Sequence, residues 1–212
     1  MNAPLVTVWL VILNTVVWAA QAFLGDRPLL RYALWPPGEH VLATLGERSI
    51  VVGFAPHQLI SYGFLHADMM HLAFNLVGLV VFGPLIERCM GAGHFLFYYF
   101  FCLVAAGLLQ LVNVAGGDPA PTLGASGAVY GLLAAAALLY PQRRLLLFPL
   151  PFEVRVRTLA LVLGGLALAH GVLGSQAGVA HFAHLGGMLG GFLLVQYWRG
   201  LLPLKPRRWL EP

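Results

Sequence analysis

Ser126 stands between two glycines in Gly124-Ala-Ser-Gly127, and His184 stands two residues before the glycines of His181-Phe-Ala-His-Leu-Gly-Gly-Met-Leu-Gly-Gly191. A hydroxyl and an imidazole are the minimum set for nucleophilic attack on an acyl carbon, because the ring can take the proton of an oxygen held within ~3 Å. Such a nucleophile also needs donors for the oxyanion it generates. Two sources are present. Backbone N–H groups from Gly124 to Ser126 would lie at the start of a helix, whose first amides lack intrahelical partners. His71 and Asn75 are four residues apart and so share one helix face. No carboxylate is placed to orient His184, so the pattern implies a dyad, with Tyr130, one turn after Ser126, packed against the imidazole.

Each piece has a plainer use. A serine in a membrane helix commonly bonds the carbonyl one turn back, and a histidine among glycines can serve as an interhelical hydrogen bond. A metal centre built from His66, His71, His181 and His184 is a second chemistry open to these residue types, since paired histidines on one helix face are common ligands. The segment 181–184, however, lacks the carboxylates and further histidines of a di-iron site.

These side chains must be positioned by elements made almost wholly of apolar residues. The chain has 212 residues, 59% apolar and 9% charged, with a mean hydropathy of +0.81, whereas a soluble domain carries roughly 25% charged residues. It reads as an integral membrane protein. Uncharged windows at 1–25, 69–86, 89–117, 119–142 and 158–198 each approach or exceed the ~20 residues that cross the hydrocarbon as a helix. The last is long enough for two crossings, broken at Gly174-Ser-Gln-Ala-Gly178. The expected fold is therefore an all-α membrane protein, one domain over 1–212, with spans at about 4–24, 69–87, 94–114, 126–140, 158–174 and 179–198. An outer loop, 25–67, would lie in the interface with Tyr32 and Trp35 at headgroup level, and residues 49–67 would be interfacial or re-entrant.

Basic residues set the expected orientation. With the N-terminus cytoplasmic, nine Lys and Arg fall inside, including Arg88, Arg143, Arg144, Arg155, Arg157 and the tail Lys205-Pro-Arg-Arg208, against Arg27, Arg31 and Arg48 outside. The basic balance thus reports topology and does not point to nucleic acid. The first window has no preceding basic residue and is expected to stay as a span. Cys89 and Cys102 are expected to be buried thiols rather than a disulfide.

Small residues allow membrane helices to approach closely. Gly127-xxx-Gly131 in the fourth span faces two such patterns in the sixth, Gly186-xxx-Gly190 and Gly187-xxx-Gly191. Close packing of these two helices would bring Ser126 and His184 to similar depth. The third span is expected to be scaffold, Asn14, Thr15 and Gln21 to bond between helices, and Asp68 to cap the second span.

With these residues in place, the chain resembles the rhomboid family of intramembrane serine proteases. The resemblance rests on His66-x4-His71-x3-Asn75, Gly124-Ala-Ser-Gly127, Ala183-His-Leu-Gly186 and Glu87-Arg88, in that family's order and over all six spans. It implies Ser126 as nucleophile, His184 as general base, and His71, Asn75 and the Ser126 amide as oxyanion hole. Tyr130 would pack on the base, while His66, Gly124 and Gly127 would hold local geometry. It further implies single-pass membrane proteins as substrates, cut near the outer face, no metal or cofactor, and a bacterial inner-membrane location. A substrate helix would enter past the fifth span and the loop 175–178. The family also contains non-proteolytic members that hold membrane clients, and this is the alternative reading. Many members carry Trp-Arg in the first loop where this chain has His57-Gln58, a departure expected to touch loop rigidity rather than chemistry.

Overall fold

In the computed structural model the uncharged windows are helices. The structure describes residues 3–25, 29–45, 48–114, 120–146, 151–173 and 180–204. Helix α1 (Leu5–Leu24) leads into a first loop that holds strands β1 (His40–Leu45) and β2 (Arg48–Val52), a short helix α2 (Gln58–Ser61) and a 3-10 turn (Tyr62–Phe64). Helices α3 (Met69–Met90), α4 (Ala92–Val114) and α5 (Ser126–Leu139) follow. A second hairpin, β3 (Arg144–Leu146) with β4 (Glu153–Arg155), then precedes α6 (Val156–Leu173) and α7 (His181–Trp198). The expected break at 174–178, the loop residues 115–119, Arg27 and the tail 205–208 lie outside the described residues.

Four helices, Leu5–Leu24, Met69–Met90, Ala92–Asn113 and Val156–Leu173, are long and apolar enough to cross a membrane. Helix α5 is apolar but has only 14 residues, and α7 interrupts its apolar run with His181, His184 and glycines. The two hairpins depart from the all-α expectation. Both fall in connections between the long helices, and β1–β2 forms where β-branched residues (Val41, Ile50, Val51, Val52) cluster.

Helix α5 is the hub, touching α3, α4, α6 and α7. Its residues are mostly Gly, Ala and Leu, and nine of its 14 are buried. Without a hydrophobic force between helices in lipid, close packing has to supply the association, and the glycines of α7 divide this task between two neighbours. Gly187 and Gly191 face α5: a Cβ on Gly187 would run into the Gly127 carbonyl, and one on Gly191 would lie 3.0 Å from the Gly131 Cα. Gly186 and Gly190 face α4, where a Cβ would meet the Ala105 carbonyl at 2.7 Å and the Ala105 methyl at 2.6 Å. The Tyr98 hydroxyl ties the contact by donating to the Gly131 carbonyl at 2.7 Å.

Helix α1 is fastened near one end to Glu87 of α3 and near the other to His66, just before α3 begins. The buried Glu87 carboxyl accepts from the backbone N–H groups of Val6 (2.9 Å) and Thr7 (2.8 Å) and from the Thr7 hydroxyl (2.7 Å), satisfying amides that α1 cannot bond itself. Near the other end, Gln21 Nε2 donates to the His66 carbonyl at 3.1 Å and Gln21 Oε1 accepts from the His66 N–H at 2.9 Å. Thr15, expected to bond between helices, donates instead to Val11 in its own helix, and Asn14 Nδ2 donates to Leu10 while the same side chain meets Tyr99 of α4. Both are the usual i−4 alternative for short polar side chains.

The first loop is organised by Gln58, which is buried. Its Oε1 accepts from Trp35 and Ala55 N–H groups and its Nε2 donates to the Arg31 and Gly53 carbonyls. One amide therefore joins four backbone positions, and it does so in the segment where the His57-Gln58 departure was expected to matter. Trp35, expected at headgroup level, is 5% exposed and packed with Ala33 and Leu65, and its indole N–H is satisfied by the Leu30 carbonyl at 2.7 Å. Tyr32 stays 41% exposed.

Gly187→Leu has no flexible neighbour to displace, so it should lower stability by at least about 3 kcal/mol, read as a fall in the thermal midpoint. Gly165→Ala, where a Cβ meets nothing within 4 Å, should be neutral or slightly stabilising. His66 is 1% exposed, and burial, with His71 beside it, lowers its pKa from 6.5 to about 4. The unfolded chain thus binds this proton more tightly than the folded one. The His66 contribution should be complete above pH 6.5 and decline as pH falls toward 4; a His66→Gln variant should lack that component of the midpoint-versus-pH curve.

Candidate active site

The segment that delivers Ser126 is pinned from two sides. Leu34 and Thr122 exchange backbone hydrogen bonds, Leu34 N–H to the Thr122 carbonyl at 3.0 Å and the reverse at 2.8 Å, and Gly124 N–H donates to the Tyr62 carbonyl at 2.9 Å. Tyr62 is itself fixed by its buried hydroxyl, which donates to Leu103 in α4 at 2.8 Å. Gly124 then turns the chain with φ +110°, a region that L side chains rarely adopt, and α5 begins at Ser126. The long first loop thus acts as the mould in which the start of α5 is cast.

His184 lies in the first turn of α7. Its backbone N–H donates to the Ala180 carbonyl at 3.2 Å, and the neighbouring Ala183 N–H donates to Gln110 Oε1 of α4 at 3.1 Å. Gln110 therefore satisfies an amide that the helix start leaves open. From sequence alone its helix is expected to be scaffold. The signal was a lone glutamine in an uncharged window, but its partner lies 73 residues away.

The Gly127–Gly187 approach brings His184 Nε2 to 2.8 Å from Ser126 Oγ. The Tyr130 ring stacks on the imidazole with centroids 4.3 Å apart and planes 2° from parallel. Among the described residues no carboxylate bonds to the His184 ring. His181 approaches it edge-on, with centroids 6.2 Å apart, and stacks in turn on His170 of α6 at 5.3 Å.

His71 and Asn75 stand against Gly124. A Cβ on Gly124 would fall 2.6 Å from His71 Cε1 and Nε2 and 3.6 Å from Asn75 Nδ2, so glycine is required there for space as well as for φ. Asp68 caps α3 by accepting from the His71 N–H at 2.7 Å. His71 Nδ1 accepts from Ala67 N–H at 3.4 Å, which leaves Nε2, the atom beside Gly124, as the donor of the neutral ring. Asn75 Nδ2 spends one hydrogen on the His71 carbonyl at 3.0 Å and retains the other. His66 packs behind His71, with ring centroids 5.1 Å apart. The structure so gathers Ser126, His184, Tyr130, His71, Asn75, Gly124 and Gly127 around one point, with His66 behind it.

The four histidines considered as metal ligands make ring contacts in two pairs, 66 with 71 and 181 with 184. Among the described residues no three His, Cys, Asp or Glu side chains converge as a metal would require.

Similarity to known proteins agrees with the fold. The Rhomboid domain matches residues 54–200. The chain is 31% identical over 149 residues to "Rhomboid protease GluP" of Bacillus subtilis, covering 69% of this chain and 27% of that protein. It is 32% identical over 151 residues to "Rhomboid protein 1, mitochondrial" of Saccharomyces cerevisiae, covering 66% and 41%. It is also 32% identical over 186 residues to "Presenilin-associated rhomboid-like protein, mitochondrial" of Homo sapiens, covering 84% and 45%. The aligned region is thus less than half the length of each of these relatives. With a domain match over most of its length and a bundle of apolar helices that supports an integral membrane protein, the chain belongs to the rhomboid family, whose members are generally intramembrane proteases.

Proposed function

We propose that this chain is an intramembrane serine endopeptidase that cuts the transmembrane segments of single-pass membrane proteins near the outer face, with Ser126 as nucleophile and His184 as general base. The observation that carries the reading is the 2.8 Å contact between Ser126 Oγ and His184 Nε2. In the first step Oγ attacks the scissile carbonyl while Nε2 takes its proton. The imidazolium that forms has the Tyr130 face against it, where the ring quadrupole favours a cation, and this stands in for the missing carboxylate. The oxyanion falls among the Ser126 amide at the positive end of α5, His71 Nε2 and the free Asn75 hydrogen. His184 then protonates the leaving amine, and water, activated by the same ring, hydrolyses the acyl-enzyme.

The arrangement in the bilayer is part of the same proposal. The six longer helices would form one unit, four of them long and apolar enough to cross the bilayer, with the short α5 sheltered by its neighbours. The arginine distribution supports an orientation with both ends of this sequence on the cytoplasmic side of a bacterial inner membrane. Ser126 and His184, both in the first turns of their helices α5 and α7, would then open to the outside, where water can enter.

Two measurements test this. Purified protein in proteoliposomes, given a panel of single-pass substrates, should cleave at least one. Ser126→Ala should abolish cleavage, His184→Asn should reduce it at least about 10³-fold, and Asn75→Ala should lower kcat about 10²-fold through loss of an oxyanion donor. Substrate capture without cleavage by the wild type would instead favour the client-holding reading. Gln110→Leu should leave the Ala183 N–H unpaired, at about 1 kcal/mol, and loosen the turn that carries His184. Its kcat should fall several-fold with KM little changed; an unchanged kcat would remove Gln110 from the account.

A further inference from the structure

The neck of the second hairpin concentrates positive charge to a degree that its own fold does not use. Arg144 pairs directly opposite Arg155, Leu145 opposite Val154 and Leu146 opposite Glu153. Val156 N–H donates to the Arg143 carbonyl and Arg157 N–H to the Pro141 carbonyl, which draws Arg143 and Arg157 to the same place. All four arginines are exposed. Like charges directly opposite one another on an antiparallel pair are destabilising. The compensation visible among the described residues is Glu153, 3.7 Å from Arg144 with both side chains exposed, a pair of small worth in water.

The depth of this neck gives the charge a context. It joins the last residue of α5, Leu139, to the first of α6, Val156, where a helix pair leaves the hydrocarbon for the headgroups. The hairpin is two-faced. Leu145 packs against the core, whereas Arg144 and Leu146, two apart on one strand, share the outer face with Arg155 and Glu153. Leu146 is 66% and Phe152 is 56% exposed. Guanidinium forks are suited to phosphate oxygens, and exposed apolar side chains beside them suit acyl chains.

We propose that this neck binds the phosphate headgroup of an anionic phospholipid of the surrounding bilayer, with Arg144 and Arg155 gripping the phosphate and Leu146 and Phe152 lying against the upper acyl chains. The bound anion relieves the repulsion of the opposed arginines, so the site couples lipid charge to the stability of the α5–α6 connection. Nothing in it depends on the proposed peptidase chemistry, since none of these residues approaches Ser126 or His184.

The test is retention of defined lipids by the delipidated full chain in detergent, read by native mass spectrometry with phosphatidylglycerol and phosphatidylcholine as probes. Wild type should retain phosphatidylglycerol preferentially. A charge-assisted hydrogen bond to the phosphate is worth roughly a tenfold change, so Arg144→Gln/Arg155→Gln should weaken retention roughly a hundredfold, while Arg88→Gln, an exposed arginine at the end of α3 and outside the neck, should leave it unchanged. Because the double variant removes a repulsion, its lipid-free thermal midpoint should not fall. Should it fall, Arg155→Lys, which keeps the charge and loses the fork, becomes the deciding variant, with a severalfold loss expected. Equal retention of the two lipids, wild-type retention by the deciding variant, or an equal loss in Arg88→Gln would overturn the proposal.

Discussion

Between Gly127 and Gly187 there is no room for a methyl group, and the rest of the site depends on that. In water, two helices can be pressed together by the apolar area they hide. In lipid that force is absent, and contact distance decides. A helix of Gly, Ala and Leu set against a helix with glycine every fourth residue gives two backbones in van der Waals contact. Side chains at the ends of those two backbones then come within hydrogen-bonding distance, as Ser126 and His184 do at 2.8 Å. The same glycines leave both helices weak by propensity, and the neighbours offset this: Tyr98 bonds the Gly131 carbonyl and Gln110 caps the start of α7.

Backbone contact sets the distance but not the aim. The aim comes from the first loop, which ties residues 122–124 through Leu34 and Tyr62, and from the turn at Gly124, shaped by its positive φ and by the His71 ring beside it. The first loop is in turn held by Gln58, whose single amide serves four backbone groups. Buried polar groups of this kind are costly unless satisfied, and Gln58 satisfies both its own atoms and those of its neighbours. Polar side chains thus occur in this molecule mainly where two elements must be held in register.

What was legible in the sequence was local in kind. Uncharged windows marked the helices to within a few residues, because charge is excluded from lipid over a fixed length. Small-xxx-small spacing marked α5 and α7 as close partners, because four residues return to the same helix face. The assignment of Gly186 and Gly190 to α4 rather than α5 was not legible, since adjacent residues on a helix diverge by an angle that spacing alone does not anchor. The clamp of Glu87 on Val6 and Thr7, the pairing of Gln21 with His66, and the Gln110 cap all join positions far apart in the chain. A lone polar residue in an apolar run announced that a partner existed without naming it. The inward packing of Trp35 was not legible for a related reason. Aromatic residues in an outer loop suit the interface equally well whether they face lipid or fold inward on Leu65, and the choice was made by Gln58 and the Leu30 carbonyl.

The central claim is that packing gives Ser126 the reactivity of a nucleophile through His184. It is tested most directly by treating the detergent-solubilised protein with a fluorophosphonate and mapping the modified residue by peptide mass spectrometry. The account predicts one adduct, on Ser126, in the wild type, and none above background in His184→Asn. An unmodified Ser126 in folded wild-type protein, or labelling at the same rate without His184, would contradict it.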